Sequence, residues 1–445
     1  MYESFFDLLR ETIQGDGKEA ITKVTGVSNQ EELLEAIAHI IFGIETQKEI
    51  VIANDFSLSK MITIPEGVSL RGVGNPKIQA PTDAGTALQL LGDNKISNFT
   101  IHGDHTTRAV LVNRKGNIVI RDMVFDKMGA DKTNYSAVYI RNGDSGNEIV
   151  IENVTIQDCV FKNSASHAMV LWRMKRGKVV NNIIDGTTGE HKHRGNGIRA
   201  EDLDTCIISG NTFTNIGRMG AEVLGGGTTC TTISNNTFDT YGLNEVGGVK
   251  FAISVGQLAN NVVINGNVAK NAPKGFGYEI AQDATNIILS NNIAKNVGQA
   301  LSVSAGCHNL TIHGNIWDGS SNKYQAQLFQ CWSIDYSNNL SINHTFPIGD
   351  GNKRGLLVNQ CNKVNVRGNT FEGDYNSSPD AAIYFYSHLS KDNPRSYGTW
   401  DEGGKISANA HSVDNNVLRG GGTRLVTLHG IELAPDSNSS NLVVK

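Results

Sequence analysis

From about residue 50 onward the chain alternates apolar and polar residues in short bursts, and one burst recurs. It reads Val179-Val180-Asn181-Asn182-Ile183, Ile208-Ser209-Gly210-Asn211-Thr212-Phe213 and Ile233-Ser234-Asn235-Asn236-Thr237-Phe238. It returns at Ile264 to Asn267, Leu289 to Asn292, Ile312 to Asn315, Tyr336 to Asn339 and Val366 to Phe371. The final asparagines stand between 23 residues (Asn292 to Asn315) and 31 residues (Asn236 to Asn267) apart. Such a period in short β-type runs predicts a solenoid of stacked coils. Asparagine suits the repeated slot because it tolerates the left-handed conformation of a tight turn, and stacked amides hydrogen-bond from coil to coil.

A second strand opened by a small residue precedes each burst: Ala168, Gly197, Ala221, Ala252, Ala300 and Gly355, and upstream Ala87, Ala109 and Ala137. The asparagine slot of the upstream coils holds Phe99, Met123 and Cys159. About 13 coils are counted, giving a rod on the order of 60 Å long at ~4.8 Å per strand spacing. Two or three strands per coil leave no room for crossover helices, and neither hairpin signals nor a constant blade length is present. The predicted fold is therefore all-β: one single-domain right-handed parallel β-helix over residues 46–430, with a C-terminal tail at 431–445. Residues 1–45 are expected as an N-terminal helical segment and cap. Residues 3–14 read as one amphipathic helix; Ser28 to Glu31 reads as the capping box of a second, whose stripe is Leu33, Leu34, Ile37, Ile40 and Ile41.

Period-two alternation then assigns outward side chains, the second and fourth positions after each small residue. They are Leu111 and Asn113, Tyr139 and Arg141, Val170 and Trp172, Arg199 and Glu201, and, with a one-residue shift allowed, Glu222. Ser254, Glu279, Ser302, Ser304, Phe329, Leu357, Asn359, Tyr384 and Tyr386 follow. Insertions at 127–136, 185–196, 240–249, 319–325, 347–354 and, longest, 388–410 are expected to leave from one turn type and build one rim.

The composition supports many tight turns, with 48 Gly and only 8 Pro. A net charge of −5 argues against nucleic acid as the main partner. No run of 18 apolar residues marks a membrane span, and the N-terminus lacks a signal-peptide core. The six cysteines read as buried free thiols rather than disulfides, with Cys206 and Cys230 in near-equivalent places on adjacent coils.

The central coils carry the densest reactive chemistry. Glu201 and Glu222 on adjacent coils are the candidate catalytic carboxylates, at the ~5–9 Å separation of paired glycosidase acids. Arg199 and Lys250 are the candidate bases for an elimination at a uronate. Trp172, Arg173, His193, Arg194, Asp202, Glu279 and Tyr139 are the candidate substrate-binding residues, aromatic faces for sugar rings and charged groups for their substituents. The alternative for all of them is an ordinary charged, packed surface. His191 to Arg194 is expected to hold an anionic sugar rather than a metal. No cofactor is expected; Asp202-Leu203-Asp204 is the one fragment reminiscent of a calcium site.

The capping helix, the entry strand Val68-Ser69-Leu70-Arg71-Gly72-Val73-Gly74 and the Asn-Thr-Phe coils together resemble the pectate-lyase-like superfamily of right-handed β-helices, over roughly residues 25–430. That superfamily includes polysaccharide lyases, glycosidases, mannuronan epimerases and phage tailspike depolymerases. The resemblance implies a carbohydrate-active protein, working outside the cell or on a virion, whose groove lies over the outward row. It implies either cleavage of an extended acidic polysaccharide or binding of a glycan without cleavage. Departures limit it: Tyr241-Gly242-Leu243-Asn244-Glu245-Val246 lacks the Asp and His of the epimerase signature, and the polygalacturonase and Arg-His-Gly lyase signatures are absent. No family's catalytic residues therefore transfer. The tailspike likeness, with Phe329, Leu357, Tyr384 and Tyr386 as exposed apolar groups, also implies a homotrimer.

Overall fold

Sharp corners make this chain a coil, and left-handed residues make the corners. In the coil that begins at Ile198 they are Asp202, Thr205, Gly210 and Asn215, with φ of 56°, 55°, 69° and 54°. In the next they are Gly225, Cys230, Asn235 and Thr240. Asn, Asp and Gly recur at these corners because other residues pay a steric cost there. A computed structural model describes residues 26–444 except 83–84, 131–134, 142–149, 190, 192, 246–247, 346–352, 376–380, 387–410, 421–423 and 430–439. The helix expected at residues 3–14 lies outside the described residues.

Between corners run short strands, and every strand pairing is parallel to the strand one coil away. One sheet stacks 14 strands, from Glu49–Ile52 to Ser412–Asp414. Apart from the separate pair Ile151–Glu152 and Met174–Lys175, the remaining strands form two further faces that merge where Val268–Ile280 and Ile293–Ser304 run through the corner between them. The second face carries the burst strands, such as Thr212–Ile216. The third carries the small-residue strands, such as Ile198–Glu201 and Ala221–Leu224. The stack is thus a three-sided parallel β-helix of 14 rungs, one more than the sequence count. Leu442–Val443, expected in the tail, pairs with Val417 and Leu418 and extends the second face.

The asparagine slot works as a ladder. Asn182 donates both its backbone N–H and its Nδ2 to Oδ1 of Asn211, each at 2.9 Å. Asn211 does the same to Asn236, and the chain of amides continues through Asn267, Asn292, Asn315, Asn339, Asn369 and Asn416 to Asn441. The left-handed conformation expected of these asparagines belongs instead to the residue before each: Asn181, Gly210, Asn235, Gly266, Asn291, Gly314, Asn338, Gly368 and Asn415.

The core is filled by stacked rings from the second face, for instance Phe213 on Phe238 with centroids 4.5 Å apart. Small residues at the start of the third-face strands make room for them: a Cβ on Gly220 would lie 2.1 Å from Phe238 and one on Gly197 2.6 Å from Phe213. Helix α1, Gln30–Ile41, closes the N-terminal end, with Leu33 and Ile37 buried in the same core as Ile50 and Ile52. Its N-cap is Asn29 rather than Ser28, and Glu32 accepts from Ser28 N at 2.7 Å. Among the described residues no helix is long and apolar enough to cross a membrane.

Three expectations are corrected here. The small residue of the coil that follows Gly197 is Gly220, not Ala221, because Ile198 pairs with Ala221. Leu357 and Tyr384, expected to be exposed, are 3% and 6% exposed, packed with Ala381 against Tyr324 and Tyr386. The insertion 388–410, expected on the rim, lies outside the described residues. Cys206 is buried and Cys230 exposed, and Ile207 pairs with Thr232, so the two thiols do not stack. The thiols that meet are Cys331 and Cys361, buried with their sulfurs 3.4 Å apart.

Candidate functional site

The third face follows the corner from which the loops at 185–196, 240–249 and 319–325 leave, and its outward residues form continuous rows. Across the strands Ile198–Glu201, Ala221–Leu224, Phe251–Gly256 and Val268–Ile280, consecutive partners in one row are Arg199, Glu222, Ser254 and Glu279. Glu201 lies in the neighbouring row, opposite Trp172 on one side and Leu224 on the other. The expected pair Glu201 and Glu222 thus sits on adjacent rungs but in different rows. Glu201 stands two residues along the strand from Arg199, which is the partner of Glu222.

Glu222 is the bottom of the site. Its residue is 7% exposed. Asn196 Nδ2 donates to Oε2 at 2.8 Å, and Arg218 Nη1 donates to Oε1 at 3.2 Å. Arg199 Nε stands 4.0 Å from Oε2. Arg218 comes from the turn after Thr212–Ile216 and is tied to the rim by its N–H to Gly195 O, 2.9 Å. Asn196 in turn donates its backbone N–H to His167 Nδ1 at 3.2 Å. That bond places the ring proton of the neutral tautomer on Nε2. Burial, and then the charges of Arg199, Arg218 and Arg194, push the His167 pKa well below its ordinary value, so the ring is neutral.

Glu279 differs. Burial raises its carboxyl pKa and the Glu222 charge adds to the rise, while the Ser254 hydroxyl, which donates to it, and Arg218 oppose. Two carboxylates in one row therefore stand in contrasting surroundings, one in an ion pair with arginine and one favoured to keep its proton. Glu222 and Glu279 are two rungs apart, roughly 10 Å along the face at ~4.8 Å per rung, before their side chains lean.

The other expected residues are dispersed. Lys250 holds the rim, its Nζ donating to Asn244 O, while Asn244 Nδ2 donates to Gly189 O at 2.8 Å. Burial and the Lys274 charge lower the Lys250 pKa, and Glu245 opposes. His193 stays in the rim loop beside His191, ring centroids 5.5 Å apart, and Arg194 caps the same turn. Asp202 sits at a corner, accepting from Gly227 N at 2.9 Å and 3.5 Å from Arg173 Nε. Asp204 is paired with Lys175 at 3.1 Å, and its pKa is lowered first by the Thr205 hydroxyl and then by Lys175. Both acids of the calcium-like fragment are thus engaged with cations. Among the described residues no three His, Cys, Asp or Glu side chains group as metal ligands. Tyr139 and Trp172 lie two rungs and one rung before Arg199, under arginines (Arg108 and Arg141) rather than open.

Sequence reasoning missed His167, Asn196 and Arg218. A signal existed for two of them: His167-Ala168 and Asn196-Gly197 put a polar residue directly before the small residue on adjacent coils. Arg218 lies in a turn, where period-two alternation gives no direction.

Comparison with known proteins bears on the fold. Residues 191–371 match the family model described as right handed beta helix region. No curated protein matches the chain. Among solved structures, the chain is similar to the Dettilon tailspike protein gp208, at 15% identity over 94% of this chain and 68% of that one, TM-score 0.45. It is similar to a mannuronic acid specific polysaccharide family 6 lyase from human gut microbiota, at 12% identity over 83% and 88%, TM-score 0.47. It is similar also to the Azotobacter vinelandii mannuronan C-5 epimerase AlgE4 A-module, at 14% over 96% and 98%, TM-score 0.40. At such identities the likeness concerns the course of the backbone alone. Fourteen parallel rungs around one core, with the family match across their middle, make this protein a right-handed parallel β-helix.

Proposed function

We propose that this protein binds an extended acidic polysaccharide along the third face and hydrolyses it at the row that holds Glu222 and Glu279. The supporting observation is the contrast between those two carboxylates on one outward row. Glycosidases use such a pair: a carboxylic acid protonates the leaving oxygen and a carboxylate acts from the other side. Glu279, which holds its proton to higher pH, is the general acid. Glu222, oriented by Asn196 and Arg218, is the carboxylate that activates water. A separation of roughly 6.5–9.5 Å between the carboxyls corresponds to inversion at the sugar carbon. Arg199, beside Glu222 in the row, faces the substrate chain and accounts for a preference for acidic sugars. A substrate of this size places the work outside the cell or on a virion.

The low exposure of Glu222 favours a second reading, in which the same face grips a glycan and leaves it intact. The test is incubation with a panel of acidic polysaccharides, reading new reducing ends and the ultraviolet absorbance of unsaturated uronates. The proposal expects reducing ends without absorbance. Glu222→Gln and Glu279→Gln should each lower that rate by about 10²-fold or more, and Glu201→Gln much less. Absorbance would replace hydrolysis by elimination; neither signal on any polymer would leave the binding reading.

A further inference from the structure

The three rungs before Arg199 carry a set of side chains that the proposed chemistry does not use. Leu111, Tyr139, Val170 and Arg199 are successive partners in the row of Glu222. Arg141 follows the strand Val138–Ile140, fixed by its N–H to Val112 O at 2.9 Å. Its guanidinium carbon lies 3.9 Å from the ring centroid of Trp172, one rung on. Its Nη1 also donates to the Tyr139 hydroxyl at 3.1 Å. Arg108 repeats the arrangement one rung earlier, 3.9 Å from the centroid of Tyr135 and 4.6 Å from that of Tyr139. All five side chains are half-buried.

A guanidinium stacked on a ring spends its flat face and keeps its in-plane N–H edge, the edge that matches a carboxylate or sulfate in two parallel bonds. Stacking also fixes the long side chain before a ligand arrives, so less entropy is lost on binding. Among the described residues no ion pair to a carboxylate is formed by Arg141; the nearest acid by register is Glu201, opposite Trp172. The later rungs of the same row present Ser302 and Gln327 instead, with no charge. Further along, the row continues through Leu357 to Tyr384, whose ring centroid lies 3.8 Å from the Arg354 guanidinium.

We infer that Arg141, clamped on Trp172 and Tyr139, and Arg108 beside it form an anion-recognition subsite that reads carboxylate or sulfate substituents of the glycan on the N-terminal side of the cutting row. The inference rests on the proposed groove but not on its being catalytic. Trp172 and Tyr139 act here as supports for the arginines rather than as open platforms for sugar rings.

Calorimetric titration of the full chain separates the two ideas. The probes are oligogalacturonate (carboxylate), dextran sulfate (sulfate ester) and uncharged dextran, at low and high salt. The expected result is salt-sensitive binding of one or both anionic probes and none of dextran, and the arm that binds identifies the substituent. Arg141→Gln should weaken that binding about tenfold, the worth of one charge-assisted contact, with an unchanged melting temperature. Trp172→Leu, which keeps the charge but frees the guanidinium, should weaken it by a smaller factor. Equal affinity of the wild type and Arg141→Gln for the anionic probes, or binding of dextran as tight as theirs, overturns the inference. Anion binding that depends on Arg141 in a protein that cuts nothing would overturn the hydrolase and leave this subsite standing. Cutting that ignores Arg141 would do the reverse.

Discussion

Asn235 and Asn236 divide two jobs that the sequence assigned to one residue. Asn235 takes the left-handed corner, φ 56°. Asn236 is buried and joins three rungs: Nδ2 donates to Ile208 O at 3.0 Å and to Asn267 Oδ1 at 2.9 Å, and Oδ1 accepts from Asn211. Asn236→Leu should cost on the order of 3 kcal/mol or more, because several buried partners lose their bonds at once. Asn235→Ala should cost only about 1–2 kcal/mol of backbone strain. Urea unfolding of the two variants checks the ranking, and equal costs would refute the division. Glu279 yields a second test. Its folded pKa is raised, so its proton stabilises the fold fully below the unfolded value, and that contribution is lost as pH rises through the folded value. Glu279→Gln escapes this loss. Its melting temperature relative to wild type should therefore rise as pH increases from the ordinary carboxylate value through the raised folded one; a constant difference would refute the raised pKa.

Strands here are too short to be stable singly, and what defines each is the side chain it meets across the core. Gly355 illustrates the match: a Cβ there would lie 2.6 Å from Phe371 and 2.8 Å from Ala382 O. Where the ring is missing the slot changes with it. Opposite Ser341 the small residue is replaced by Gln325, whose Oε1 accepts from the serine hydroxyl and whose Nε2 donates to Ile342 O at 2.7 Å. Gly355→Ala should therefore cost about 1–3 kcal/mol by overpacking. Gly226→Ala, where the nearest atom would be 3.7 Å away, should be close to neutral. Denaturant midpoints of the pair decide whether the small residue is there for the ring. The same element logic explains the shifted strand at Ala221. Gly220 must face Phe238, and that places Glu222 level with Arg199.

The whole molecule is a rod whose rungs share one core from Val27 to Leu425. Two of the four apolar groups expected to drive trimer formation, Leu357 and Tyr384, are covered on the outer side of the third face, in a cluster with Ala381, Tyr324 and Tyr386. Light scattering at micromolar concentration checks the expected homotrimer: a mass three times 48.0 kDa supports it, and a mass near 48.0 kDa overturns it.

The sequence by itself determined the repeat, the parallel stacking and the inward and outward sense of most strand positions, since all three follow from local alternation and a recurrent asparagine. It also located Glu222, Arg199 and Glu279 on the outward row. Only the tertiary structure decided which of them are neighbours. Registry between rungs depends on which residue packs beneath which ring, and it sets Glu222 level with Arg199 and leaves Glu201 in the neighbouring row. It likewise brought Arg218, His167 and Asn196 to that carboxylate, because turn residues have no periodicity to read and their direction is set by the coils on either side.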